Sequence, residues 1–541
     1  MRIRIAFATA ALVIAAIAQA GPTQAAAPGG GAAYLVATDR PLTAQQIAEI
    51  QSTGAIVKYA YRNFGGAAVV AGQRAAAQIA VLPFVTAVNP DTVKQPDTVF
   101  VDAAYRPTAD TTLPGGSIPY WQDLIDAEND TTYDGTGVYV FGLDTGFYKY
   151  WREYFKESSI DTSLATAFVA ALGNPNENQW DVGSDPHGMA TAATVVGYYL
   201  KDRPGEGAFG DGYATGAAGT YWVPGVASGA TFVPIKVCEP IGCFGSSINA
   251  AVDYVMDFKN DNPGTPVVIN ESLGGSTLDA TEKAAIDAAV SAGVVMVASA
   301  GNSGNAGMGY PAAYEPVVSV GAGGWRDQWN GWPDNTWWLD NVDEDGVDEV
   351  FVVNFSSRER QPTSGPYAGQ TRQYLDIVST GRNMLLPYPC AKLYKDGQVT
   401  NGTAHRTCAS KAAPDNMNTA LFQYLYISGT SFSSPTIAGV VARMLDKVPG
   451  KSNSTAVPAG SDIDDGSTWG SGGEVEGILE STATDIPANS LMIGQRNGAT
   501  ALECWETASE PPGYPATYCQ DWEATGYGWV FVDDALAGTT P

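Results

Sequence analysis

From Gly137 onward, fully apolar runs alternate with amphipathic helical patterns, and this alternation narrows the possible folds more than any other feature of the chain. The runs fall at 138–143, 231–237, 267–269, 294–298 and 317–320. Helical patterns lie between them, among them 246–258 and 279–291. Beside the latter, Leu278 shares a face with Ala285, Ile286, Ala289 and Val290. Continuous apolar strands separated by such helices predict a mainly parallel sheet covered on both faces. Ligands of such sheets bind at the carboxyl ends of the strands, so chemistry is expected there.

Before this region the pattern differs. Arg2 and Arg4 precede an apolar run over 5–17, and Ala18-Gln19-Ala20 supplies the small residues of a cleavage site. Residues 1–20 therefore read as a signal peptide, and an exported product is expected. Residues 33–90 read β-α-β-β-α-β, a ferredoxin-like unit in which Thr43 caps the first helix. A polar, Pro- and Thr-rich stretch over 91–116 reads as a linker. Residues 117–541 then form the main domain, interrupted by insertions near 323–353, 386–425 and 487–522. The first of these is rich in Trp and acid; the other two hold cysteine couples.

The formal charge of −28 argues against nucleic acids and anionic membranes as partners, because both call for basic surface. No later segment is long and apolar enough to span a bilayer. The six cysteines fall as three close couples, Cys238 with Cys243, Cys390 with Cys408, and Cys504 with Cys519. Disulfides are expected of an exported chain; of the 15 possible connectivities, neighbour pairing is favoured.

Four motifs carry chemistry. In "YISGTSFSSPTIAGVVARML", Ser431 opens a helix whose buried stripe is Ile437, Val440, Val441, Met444 and Leu445. Unpaired N–H donors at such a start suit a developing oxyanion, although a Ser-rich helix start is also an ordinary cap. In "VYVFGLDTGFY", Asp144 ends an apolar strand, where a buried carboxylate needs partners. In "VVMVASAGNSGNAG", Asn302 follows another strand between glycines and can offer an amide donor to an oxyanion. His187, one of only two histidines, stands in "DPHGMATAATVVGYYL". Asp185 there reads as N-cap and Pro186 as the first helical residue, with Met189, Ala193, Val196 and Leu200 on the apolar side.

Taken together, Asp144, His187, Asn302 and Ser431 resemble the subtilisin-like serine proteases, whose triad runs in the chain order Asp, His, Ser. "VVINESLGGS" resembles that family's substrate-pairing segment, which puts Ser272, Leu273, Gly274 and Gly275 beside the extended substrate. "GVASGATFVPIKV" and "YGWVFVDDALAG" also match, so the likeness spans about 118–538. The resemblance implies an α/β, subtilisin-like three-layer fold with a mainly parallel central sheet, preceded by a small ferredoxin-like α+β prodomain. It implies a secreted serine endopeptidase made as a self-processed zymogen, with Ser431 as nucleophile, His187 as base, Asp144 as its orienting partner and Asn302 in the oxyanion hole. Protein or peptide substrates are implied, with the chain's own propeptide as intramolecular inhibitor. No cofactor is required for the chemistry, and a monomer is expected.

Two features depart from the family. Gly188-Met189-Ala190 stands where it usually has Gly-Thr-His, and "LDIVSTG" where it often has Ala-Pro-Gly. A related serine-carboxyl peptidase would carry Glu and Asp in place of His187 and Asn302, and a silent relative would lack a triad member. Neither mark is present. Finally, Asn341, Asp343, Asp345 and Val347 alternate as in the first half of an EF-hand-type loop, with Gly346 at the sharp turn. That arrangement fits a structural calcium site or a solvated acidic turn.

Overall fold

The computed structural model describes residues 31–96, 100–102, 119–169, 179–182, 185–201, 220–239, 241–325, 350–353, 355–358, 375–388, 424–452, 475–484, 486, 503–506, 517–520 and 525–540. The N-terminal unit runs β1 (Ala32–Thr38), α1 (Ala44–Ser52), β2 (Ile56–Ala60), β3 (Gly66–Ala71), α2 (Gln73–Ile79) and β4 (Val85–Pro90). Its antiparallel sheet has the order β2-β3-β1-β4. Thr43 begins α1 through a reciprocal capping box with Gln46. The two-residue strand period divides the sheet's side chains. Val36, Ala67 and Val69 form a core of their own with Ile50 and Ile79. Leu35 and Ala68, with Tyr61 and Phe64, join the core of the main domain.

Polar contacts fix this docking. Asp253 accepts hydrogen bonds from the backbone N–H groups of Arg62 (3.0 Å) and Asn63 (2.9 Å). Asp91 accepts from the backbone N–H (3.0 Å) and hydroxyl (2.6 Å) of Ser246, and burial lifts its carboxyl to about 6.

The segment read as a linker contains two short strands instead, β5 (Val93–Pro96) and β6 (Phe100–Asp102). Neither is long enough to show a period, and each is held by strands far away in sequence. That is why composition alone made it a linker.

Next come α3 (Tyr120–Asp123), β7 (Tyr139–Asp144), β8 (Thr166–Ala167), α4 (His187–Val196), β9 (Tyr198–Lys201), β10 (Thr220–Val223) and β11 (Thr231–Lys236). A hairpin of β12 (Cys238–Glu239) and β13 (Gly242–Phe244) leads into α5 (Gly245–Asp261), β14 (Val267–Glu271), β15 (Leu273–Gly274) and α6 (Ala280–Ser291). Then follow β16 (Val294–Ser299), β17 (Val318–Trp325), β18 (Val350–Val352), β19 (Ile377–Thr380), β20 (Met384–Pro387) and β21 (Tyr424–Ser428). The chain ends with α7 (Thr430–Lys447), α8 (Val475–Thr482), β22 (Glu503–Glu506), β23 (Thr517–Gln520) and α9 (Val532–Gly538).

The central sheet has the order β18-β17-β16-β14-β7-β11-β8, and β19 also pairs with β17. Its pairs are parallel except β17 with β18. From β7 the chain builds toward β11 on one side and toward β14 and β16 on the other. This switch point opens a crevice at the carboxyl end of β7. Helices α4 and α7 pack on each other and on this sheet; α5 and α6 form a second helical layer. Asp279 caps α6 by accepting from the N–H groups of Thr281 (2.8 Å) and Glu282 (3.0 Å).

The regions read as insertions have structured borders. Trp325 closes β17 and Val350 opens the paired β18; β20 and β21 pair antiparallel across the second region; β22 and β23 form a hairpin in the third. Cys238 and Cys243 form a disulfide across β12 and β13. Cys504 and Cys519 are register partners of β22 and β23, while Cys390 and Cys408 lie outside the described residues. So do residues 1–20. Among the described residues no helix is long and apolar enough to cross a membrane.

Arg443 on α7 is buried and holds an early loop by its carbonyls: its guanidinium donates to Tyr133 O (2.6 Å), Ala127 O (2.6 Å) and Asp130 O. Arg443→Ala leaves these acceptors without donors and should destabilise the fold by about 3 kcal/mol. Urea unfolding of the Ser431→Ala chain, which removes the expected nucleophile, with and without this change, measures it.

Candidate active site

The four candidate residues arrive from four elements at one end of the sheet. Asp144 is the last residue of β7, Asn302 follows β16, His187 opens α4 and Ser431 stands in the first turn of α7. The close packing of α4 on α7 is what brings the imidazole toward the serine turn. His187 and Phe432 lie with ring centroids 5.5 Å apart.

Asp144 and His187 form a buried pair. His187 Nδ1 lies 2.8 Å from Asp144 Oδ1 and 3.0 Å from Oδ2. The carboxylate also accepts from the backbone N–H of Thr145 (2.6 Å) and the hydroxyl of Thr191 (3.3 Å). Every one of these neighbours can donate, so the carboxylate is held in a fixed orientation and favours the imidazole tautomer with its proton on Nδ1.

Local contacts lock α4 onto the end of β7. The hydroxyl of Thr145 donates to Asp185 O (2.8 Å) and accepts from Gly188 N (3.0 Å). A Cβ at residue 188 would lie 2.8 Å from Gly146 O, so only glycine permits this approach. Two expectations need correction. The helix begins at His187 with Pro186 as its cap residue, and Asp185 acts through its side chain by accepting from His187 N at 3.0 Å. The helix also stops at Gly197 (φ 84°), so Leu200 belongs to β9 and not to the helix face. Met189 and Ala190, which depart from the family's pattern, are fully buried, and Met189 Sδ accepts from Tyr148 N at 3.4 Å. Apolar packing thus fills their positions.

Ser431 sits over a buried polar network that the sequence did not disclose. Its backbone carbonyl accepts from Ser272 Oγ (2.8 Å), which in turn accepts from Asn270 Nδ2 (3.0 Å). Asn270 Oδ1 accepts from Ser434 Oγ (2.7 Å). Ser431 Oγ donates to Ser272 O at 3.3 Å. The visible signal was the polar triplet Asn270-Glu271-Ser272 directly after an apolar strand.

Asn302 is oriented without ambiguity. Its Oδ1 accepts from both the backbone N–H and the hydroxyl of Thr430, each at 3.0 Å. A backbone N–H can only donate, so the atom facing it is oxygen and the amide nitrogen points the other way. A Cβ at Gly429 would lie 3.4 Å from that nitrogen, which places the donor beside the serine turn.

The segment Ser272 to Gly275 lines the next part of the crevice. Leu273 and Gly274 form β15, which pairs antiparallel with β5 (Leu273 with Pro96, Gly274 with Gln95). On its other side β5 pairs with β13 (Cys243 with Lys94, Phe244 with Val93). Gly275 bridges to Tyr310. β6 pairs with β21, which ends at Ser428 just before the serine turn. Of this segment, β5 therefore lies as an extended strand between β13 and β15, and β6 lies beside β21.

Asn341, Asp343, Asp345 and Val347 lie outside the described residues. Among those described, Asp376, Glu476 and Glu480 bring three carboxylate oxygens within 4.8 Å of one another. Asp376 is already engaged by the N–H (2.6 Å) and hydroxyl (2.9 Å) of Ser319.

An imidazole oriented by a buried carboxylate, a serine at a helix N-terminus and a fixed amide donor are the parts for acyl transfer through a covalent intermediate. Comparison with known proteins agrees. The subtilase family model matches residues 135–499, and the chain belongs to that family of serine-type endopeptidases. Serine protease AprX of Bacillus subtilis is 25% identical over 335 residues, 59% of this chain and 60% of that protein. Subtilisin DY of Bacillus licheniformis is 38% identical over 212 residues, 38% of this chain and 64% of that protein. Among solved structures, fervidolysin from Fervidobacterium pennivorans, described as a keratinolytic enzyme related to subtilisin, matches with a TM-score of 0.51 and 20% identity. That match covers 94% of this chain and 61% of fervidolysin, and at this identity it speaks for the fold alone. The chain spans less than two thirds of the length of each of these relatives.

Proposed function

We propose that the chain is a secreted serine endopeptidase made as a self-processed zymogen. The observation that carries this reading is the buried Asp144–His187 pair, with Nδ1 2.8 Å from the carboxylate, packed beside the Ser431 turn. Ser431 Oγ attacks the scissile carbonyl while His187 Nε2 takes its proton and later passes it to the leaving amine. Asp144 keeps the imidazole in the tautomer that can do so. The Asn302 amide and the Ser431 N–H receive the oxyanion, and β15 with β13 holds the substrate as an added strand.

Residues 33–90 act in this reading as the inhibitory propeptide, with the following segment lying in the crevice as a substrate would. The pairing of β5 with β15 and of β6 with β21 supports a maturation cut between these two strands. The product is a monomer acting on protein or peptide substrates, and no step requires a metal.

The test is to express the full chain beside Ser431→Ala and compare size, new N-terminus and labelling by a phosphonylating probe. Processing and labelling of the wild type alone supports the proposal. Equal processing of both proteins excludes self-maturation, and an unlabelled wild type excludes the serine mechanism. Asn302→Ala should lower kcat by about 10²–10³ with little change in KM, because the lost donor acts on the oxyanion. Steady-state kinetics on one peptide substrate checks it; a kcat within threefold of wild type would remove Asn302 from the oxyanion hole.

A further inference from the structure

β5 does more than fill the crevice, because one of its side chains is swallowed by it. Lys94 is 1% exposed. Its ammonium donates to Tyr310 O at 3.0 Å and pairs with Glu282 Oε1 at 2.8 Å. Glu271, the last residue of β14, is equally buried and close enough for its charge to interact with both Glu282 and Lys94. Burial first, and then repulsion from Glu282, raises the Glu271 carboxyl to about 8, even with Lys94 pulling the other way. Burial raises Glu282 as well.

The walls are shaped for such an occupant. The lysine stem crosses Gly275, where a Cβ would lie 3.0 Å from Lys94 Cγ. On the opposite wall Gly242 has φ 129°, and a Cβ there would lie 2.7 Å from Lys94 O and 2.5 Å from Val93 Cγ1. At these two points the walls carry no side chain, and Glu282 meets the ammonium at the end of the stem.

An ion pair that served folding alone would have both partners in the same lasting body. Here the acids belong to the main domain, and the lysine belongs to the segment that, on the proposed reading, is cut and leaves. Its departure would leave two buried acids without a cation, each shedding its charge by taking up a proton, and a new cation would restore the ion pair with Glu282. We propose that Glu271 and Glu282 form a specificity subsite that accepts a Lys or Arg side chain of the substrate at the position Lys94 occupies, upstream of the scissile bond. This inference rests on the proteolytic reading above.

The test uses the mature enzyme freed of its N-terminal unit, first on casein and then on fluorogenic peptides copying residues 91–102 with Lys, Arg, Leu or Glu at the position of Lys94. The Lys and Arg peptides should exceed the Leu peptide about 30-fold in kcat/KM, with Glu poorest, as expected when a buried charge loses its partner. In Glu282→Gln enzyme the Lys-to-Leu ratio should fall about tenfold, read as a ratio within each enzyme. Cut sites mapped in a denatured protein digest should show Lys and Arg enriched at one position. That position stands as far upstream of the cut as Lys94 stands from the enzyme's own maturation site. Equal kcat/KM for Lys and Leu peptides, uncut peptides, or no enrichment, in an enzyme that digests casein, overturns the subsite. Failure to digest casein overturns the proteolytic reading instead.

Discussion

Ser431→Ala is expected to lower turnover about a millionfold while the protein folds as before. The change removes only Oγ, whose described bond is the 3.3 Å contact with Ser272 O. The anchor of the serine turn, Ser272 Oγ to Ser431 O, uses the backbone and survives. On the proposed reading this variant keeps its N-terminal unit, so its rate is compared after an added protease has removed that unit; what remains then comes from the oxyanion donors and substrate binding. Single-turnover kinetics on a peptide, with the circular dichroism spectrum and urea midpoint as controls, would measure this. A loss of less than about a hundredfold would place the nucleophile elsewhere.

The second large effect belongs to Asp144→Asn. The carboxylate is surrounded by donors: His187 Nδ1, the Thr145 N–H and the Thr191 hydroxyl. An amide of the same shape has only one oxygen. The oxygen then stays at the Oδ1 position facing the backbone N–H of Thr145, and the NH₂ takes the Oδ2 position, 3.0 Å from Nδ1, where it can donate to the ring. The imidazole then carries its proton on Nε2 and cannot accept one from Ser431. Turnover should fall about 10⁴-fold with KM nearly unchanged. A fall of tenfold or less would mean that the tautomer is set by something other than Asp144.

How far these residues could be read in advance depended on where each sits. Asp144 and Asn302 follow apolar strands, and Ser431 opens a helix with a clear buried stripe. Strong periodicity marks such elements, so the residues at their ends stand out. The sequence pattern carries the helix after His187 too far for a related reason. Leu200 falls four residues after Val196, which fits a helix, and two after Tyr198, which fits a strand. Both Tyr198 and Leu200 are buried in β9, and Gly197 decided between the two periods by its conformation. Lys94, Glu271 and Glu282 carry no signal in the sequence because their meaning is a contact between distant segments. A lysine in a polar stretch and a glutamate beside a serine are unremarkable until the fold buries them together. β5 itself has no period to detect, and its partners lie roughly 150 to 180 residues away in sequence.

The crevice between β13 and β15 is one strand wide, and both of its margins are strand edges, here paired with β5. A polypeptide can enter it only after surrendering its own hydrogen-bonded neighbours over several residues. Under the proposed activity, vulnerability to this enzyme would therefore track the free energy of local opening in the target, more than the presence of a favoured residue. A compact, well-ordered protein would be spared and a frayed or denatured one consumed. The groove's width would make the enzyme a gauge of its substrate's order.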